Sequence, residues 1–139
     1  MVLPDSRDMP FTKRIEIRWR DMDGFGHVNN AVYLTYLEEA RDEFYTRVLG
    51  DDTVGRCVAR RVEIEFESGL RQEDDGVDVT LEVVRIGTSS ITTEESITAV
   101  SDGRVSARAT TVMVHCDAGR ERAAPLPAEA RNALEATLA

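Results

Sequence analysis

A single long helical pattern enclosed by strand patterns limits this chain's fold more than any other feature. The pattern follows a Gly-broken loop at residues 20–29 and runs to about Leu49, where Gly50 supplies the stop. Val32, Tyr36, Leu37, Ala40, Phe44 and Val48 fall on one broad face, the spacing of a helix that packs on a core. Its first turns are aromatic and apolar almost all round, which predicts extensive burial. Asn29 or Asn30 is the expected N-cap, because a side-chain amide there accepts from a backbone N–H that the helix leaves unpaired.

Strand patterns stand on both sides. From Phe11 to Trp19 the residues alternate, with Phe11, Lys13, Ile15, Ile17 and Trp19 on one face and Thr12, Arg14, Glu16 and Arg18 on the other. Lys13 is the exception on the apolar face. Residues 51–56 read as a polar loop, and four strands follow: Val58 to Glu67, Val77 to Ile86, Ser90 to Val100 and Val105 to His115. In the first of these Val62, Ile64 and Phe66 share a side, with Glu63, Glu65 and Glu67 opposite. The breaks are Asp74-Asp75-Gly76, Gly87-Thr88-Ser89 and Ser101-Asp102-Gly103-Arg104, the last an Asp-Gly hairpin signal. Pro127 to Leu138 has the makings of a short terminal helix. Strand, long helix and four closely joined strands define an α+β fold in which a five-stranded antiparallel sheet wraps the helix. One curved sheet leaves an edge open, so self-association is expected.

The 139 residues fit one domain spanning 1–139, with residues 1–10 a polar leader and residues 117–139 a tail. The formal net charge of -9 argues against nonspecific binding to nucleic acid or to an anionic membrane. Cys57 and Cys116 are far apart and lack metal-ligand spacing, and no apolar h-region or membrane-length run is visible, so a reducing cytoplasmic setting is expected. No Gly-x-Ser-x-Gly elbow, His-Glu-x-x-His, Cys-x-x-Cys or phosphate-binding glycine loop occurs. Asp21-x-Asp23-Gly24 hints at a calcium loop but places its glycine wrongly and lacks the later ligands.

The chemistry is concentrated between Asp23 and Arg41. Asp23 is the leading catalytic candidate: a carboxylate just before a helix start can attack a carbonyl or take a proton from water while helix N–H groups hold the developing oxyanion. An Asp in that place also stabilises a Gly turn. His27 can donate to a substrate oxygen, orient Asp23, or satisfy loop backbone groups. Asn29 and Asn30 cap the helix and can present an N–H or an amide to a carbonyl. Tyr33 and Tyr36 read chiefly as packing residues, and Glu38 is spaced to pair with Arg41 on the surface.

The run Asp23-Gly-Phe-Gly-His27-Val-Asn29-Asn30-x-x-Tyr33-Leu-x-Tyr36-Leu-Glu38-Glu39-Ala-Arg41 closely resembles the signature of hotdog-fold acyl thioesterases, nearest the hydroxybenzoyl-CoA thioesterase-like and long-chain acyl-CoA thioesterase branch. The match is dense from Arg18 to Phe44; beyond it the strand order and the Asp-Gly turns agree. The resemblance implies hydrolysis of an acyl-CoA, with acyl carrier protein thioesters as an alternative. It puts Asp23 at the catalytic carboxylate position, His27 at an assisting position and Asn30 where a backbone N–H meets the thioester carbonyl. Phe25 stands where the plant acyl carrier protein thioesterases have a catalytic Asn, which leaves the bacterial type of mechanism. The resemblance further implies a homodimer or homotetramer with sites between subunits, no cofactor and no metal. Asn29 and Tyr33 become substrate-binding candidates, as do Arg85, Thr88, Ser89 and Ser90 for the nucleotide end, with Arg60 or Arg61 as other basic groups. Two other hotdog functions stay open: a dimer that binds an acyl ligand without hydrolysing it, and a dehydratase or hydratase.

Overall fold

The computed structural model describes residues 9–138. Strand β1 (Phe11–Glu16) leads through a loop into α1 (Asn30–Leu49), the one-turn helix α2 (Asp51–Val54) and strands β2 (Cys57–Phe66), β3 (Gly76–Ile86), β4 (Ser90–Ala99) and β5 (Val105–His115), and α3 (Ala128–Glu135) closes the chain. The strands form one sheet in the order β1-β3-β4-β5-β2, every pair antiparallel. It wraps α1, which is the hotdog arrangement expected from the sequence. Residues 1–8 of the polar leader lie outside the described residues.

Alternation decides which face meets the helix. On β3, Val77, Val79, Leu81 and Val83 are fully buried, whereas Asp78, Thr80 and Glu82 point to the outer face. The small side chains Ala107 and Ala109 of β5 leave room for the aromatic start of α1, where Tyr33 and Tyr36 pack with Leu37, Ile97 and Ala99. A second cluster joins Phe44, Tyr45 and Val48 to Phe11, Leu81, Ile91 and Leu134. Between the two stands a buried ion pair, Arg41 to Glu95 at 3.1 Å, with Thr111 accepting from Arg41 and Thr93 donating to Glu95. Arg41 therefore turns inward and does not pair with Glu38 on the surface. The buried face of α1 is correspondingly wider than the expected stripe, adding Tyr33, Arg41 and Tyr45, while Val32 is only half-buried.

Local signals set the ends of the elements. The Asn29 side chain accepts from Ala31 N–H at 2.9 Å and caps α1, and Gly50 ends it. The Asp-Gly turn joins β4 to β5, with Gly103 N–H donating to the Ala99 carbonyl. Two expectations fail. Strand β1 stops at Glu16, and Trp19, expected on the inner face, is 80% exposed on a single 3-10 turn (Trp19–Asp21). That turn is closed by the Asp21 carboxylate, which accepts from Arg18 N–H at 2.9 Å and overrides the alternation. The expected loop at 51–56 holds the helical turn α2. Lys13, the irregular residue of β1, reaches Glu43 of α1 at 3.0 Å.

Candidate active site

Antiparallel pairing of Met22 with Val28 pinches residues 23–27 into a tight loop just before α1. Asp23 N–H donates to the His27 carbonyl at 2.7 Å. Its Oδ1 accepts from Phe25 N–H at 2.8 Å and His27 N–H at 3.1 Å. Gly26 takes φ 82°, a left-handed conformation that a β-carbon would strain, and so permits the closure. Hydrogen bonds from the backbone N–H groups of His27 and Phe25 hold the Asp23 carboxyl below the usual carboxylate range, so it is ionised at neutral pH. Oδ2 receives no hydrogen bond among the described residues.

The loop is moored from below. Asp21 is almost fully buried, and its carbonyl accepts from Asn29 N–H at 2.9 Å. Its carboxylate accepts from the Tyr36 hydroxyl at 2.8 Å and pairs with Arg18 at 3.2 Å. Burial alone would raise the Asp21 pKa, but the Arg18 N–H, the Tyr36 hydroxyl and the Arg18 guanidinium outweigh it and lower it. With its oxygens so engaged, Asp21 ties the loop to the second turn of α1. At the helix start, Asn29 occupies the Ala31 and Val32 N–H groups, whereas the N–H of Asn30 carries no hydrogen bond among the described residues. Asp23 and the open end of α1 are thus joined by one short, pinned loop.

A third segment, residues 67–74, supports this pair. Leu70 carbonyl accepts from Val28 N–H at 2.8 Å, and Gly69 lies against the His27 ring. The Tyr33 hydroxyl meets Ser106 Oγ at 2.9 Å, and its ring packs edge-on to Phe66 at 5.0 Å between centroids. Tyr33 therefore builds the wall behind the site. Gly69, Leu70 and Ser106 carry no motif of their own; the contacts Gly69–His27, Leu70–Val28 and Ser106–Tyr33, formed by the fold, bring them to the loop.

Arg85, Thr88, Ser89 and Ser90 lie elsewhere in the chain. They surround the β3–β4 turn, where the Ser89 carbonyl accepts from His115 N–H and the Thr88 carbonyl from Leu126 N–H. The Asp23 loop is instead tied to Gly69 and Leu70, ahead of the Gly76 end of β3, whereas this turn follows the other end of that 11-residue strand. A concavity of about 760 Å³ on the outer face of the sheet, lined by Glu63, Glu65, Glu82, Glu94, Ser96 and Arg108, contains neither Asp23 nor His27. Burial pushes the Cys57 thiol up to about 11, as suits a structural cysteine. Among the described residues no group of three His, Cys, Asp or Glu side chains is placed to hold a metal ion.

A long helix wrapped by one five-stranded antiparallel sheet defines a protein of the hotdog fold. The thioesterase-like superfamily matches residues 17–134, and the chain belongs to it. Among solved structures it is similar to a thioesterase from Thermus thermophilus complexed with coenzyme A and zinc, at 36% identity and TM-score 0.83, over 92% of this chain and 93% of that one. It is also similar to a predicted thioesterase from Bacillus stearothermophilus, at 28% identity and TM-score 0.83 over 92% and 96% of the two chains. A putative acyl-CoA thioesterase from Xanthomonas campestris is 32% identical, with TM-score 0.72 over 84% of this chain and 98% of that one. No curated protein matches.

Proposed function

We propose that the protein hydrolyses an acyl-CoA to a free carboxylic acid and CoA, with Asp23 as the catalytic carboxylate. The observation that carries this reading is the ionised Asp23, with Oδ2 unpaired among the described residues, on a pinned loop that leads straight into α1, where the Asn30 N–H carries no hydrogen bond among the described residues. Asp23 either attacks the thioester carbonyl or activates a water. In both cases the carbonyl oxygen becomes an oxyanion held by the Asn30 N–H and the positive end of α1, and the C–S bond breaks as the oxyanion collapses. With water as nucleophile the thiolate takes the proton that Asp23 removed; with Asp23 as nucleophile the thiolate takes a proton from solvent, and water then hydrolyses the acyl-aspartyl anhydride to the free acid. His27 supports the loop and assists, and Asn29 fixes the helix start. The neighbour complexed with coenzyme A supports the carrier.

The catalytic unit in this reading is a homodimer. Strand β2 forms a sheet edge, and Val58 and Phe66 on it, with Leu34 of α1 and Phe25 of the loop, are exposed apolar side chains. Unpaired backbone and apolar side chains along one edge favour pairing with a second copy. A two-fold pairing of β2 strands sets the Cys57 end of one against the Phe66 end of the other. The Thr88–Ser90 turn, bonded to His115 opposite Cys57, then lies toward the partner copy's Asp23. Arg85, Thr88, Ser89 and Ser90 would meet the nucleotide end of the substrate in that way. No helix among the described residues is long and apolar enough to cross a membrane.

A thiol-release screen over short, long and aromatic acyl-CoAs, run with Asp23→Ala and with sedimentation of both proteins, tests the reading. Turnover is expected to fall by about 10³-fold or more while the dimer persists. Near-normal rates in the variant refute the role of Asp23, and tight acyl-CoA binding without thiol release from the native protein selects a ligand-binding dimer instead.

A further inference from the structure

We propose that Gly69, clamped by Arg104 from the β4–β5 hairpin, is a positioning residue that sets the orientation of the His27 imidazole on the Asp23 loop. The inference rests on the thioesterase reading of the loop for its catalytic consequence, but its structural part stands alone.

Arg104 converges three segments. Its Nη2 donates to the Gly69 carbonyl at 2.7 Å and to Asp74 Oδ2 at 2.8 Å, while Nη1 donates to Asp74 Oδ1 at 3.0 Å and to Asp102. Asp74 in turn accepts from Arg71 N–H at 2.8 Å and Ser101 Oγ at 2.7 Å. A bidentate guanidinium–carboxylate pair of this kind fixes direction as well as distance. The other end of the segment is fixed too, since Glu67 N–H donates to the Ser106 carbonyl and Ser68 Oγ to the Val105 carbonyl. Between these anchors Gly69 faces the imidazole: a β-carbon built on it stands 3.0 Å from His27 Cδ2 and 3.6 Å from Nε2. Residue 69 is thus kept without a side chain where the ring edge lies. The His27 ring nitrogens make no hydrogen bond among the described residues, so ring contact with Gly69 is the restraint in view. A base or donor displaced by a fraction of an ångström loses much of its effect.

The experiment exploits the histidine count. His27 and His115 are the chain's two histidines, and His115 Nδ1 is tied to the Ala124 carbonyl at 3.0 Å, far from Gly69. Imidazole ¹H–¹⁵N spectra of Gly69→Ala are expected to show His27 resonances shifted and His115 resonances unmoved. With an acyl-CoA the native protein hydrolyses, kcat is expected to fall about tenfold with KM within about twofold. Arg104→Lys, which keeps the charge but loses the fork, should shift the same resonances without crowding the ring, and decides the matter if Gly69→Ala does not fold. Gly119→Ala, where a β-carbon meets nothing closer than 3.8 Å, is the control. Unmoved His27 resonances with unchanged kcat in the folded variants overturn the proposal. If the native protein releases no thiol from any acyl-CoA, the thioesterase reading fails while the spectra still decide whether Gly69 positions His27.

Discussion

Replacing Glu95 by Gln removes one charge from the middle of the core and leaves a side chain of nearly the same size. Glu95 and Arg41 are 4% and 6% exposed. Two unit charges at their 3.1 Å separation attract by about 5 kcal/mol at an effective dielectric constant of about 20. Desolvation of both ions cancels most of that gain in the intact pair, so the pair itself adds little net stability. Removing one member is different, because Arg41 then stays buried with an uncompensated charge, at a cost of about 3–5 kcal/mol. The Gln amide oxygen can still accept from Arg41 while its NH2 donates to the Thr93 hydroxyl, which places Glu95→Gln near the lower figure. Arg41→Met should cost a similar amount by stranding Glu95. The double variant Arg41→Met with Glu95→Leu should recover most of the loss. The hydroxyls of Thr93 and Thr111, both fully buried, keep about 1 kcal/mol each from returning. Urea denaturation of the native protein, Arg41→Met, Glu95→Leu and the double variant at one fixed concentration closes the cycle, and the expected coupling is at least about 2 kcal/mol. Glu94→Gln, an exposed neighbour on the outer face, should stay within about 0.5 kcal/mol of the native protein. A Glu95→Gln value equal to that control would mean that water reaches the pair, and the division of the core into two apolar clusters around a dry ion pair would be wrong.

Two further expectations follow from the geometry. Asn29→Ala removes the acceptor for the Ala31 N–H and should cost about 1 kcal/mol, measured as a shift of the urea midpoint with an unchanged slope. The Arg104 guanidinium holds the Asp74 carboxyl well below the usual carboxylate range, so its stabilisation is fully present above about pH 4 and is lost as pH falls through the depressed native pKa. Asp74→Asn should therefore lower stability at pH 7, and the gap to the native protein should narrow steadily below pH 4 in acid-titrated melts; a gap that does not change with pH contradicts the assignment.

The site divides into a part legible from sequence and a part that is not, and the dividing line is sequence separation. Asp23, Gly26, His27 and Asn29 act on one another within seven residues, through an Asx-type turn, a left-handed glycine and an N-cap, and each of those devices has a side-chain signature. The helix from Asn30 to Leu49 and the ends of β3 and β5 were legible for the same reason: period and punctuation are local. Trp19 misleads because alternation assumes that a strand continues, and the carboxylate that ends it, Asp21, is held by Tyr36 of a later helix turn. Arg41 misleads because spacing along α1 shows Glu38 within reach, while the partner that wins, Glu95, arrives from β4. Gly69 and Arg104 are silent in sequence, since a glycine after a strand and an arginine after a turn need no special reason to be there. Their meaning comes from a hydrogen bond between residues thirty-five apart and from a ring that a methyl group would strike. The proposed chemistry is written locally, and the parts that would keep it in place are supplied by strands paired across the sheet. Substitutions at Arg104, Asp74 or Gly69 should accordingly disturb the site while leaving the Asp23-to-Arg41 run unaltered, so an intact signature is insufficient evidence of an intact site.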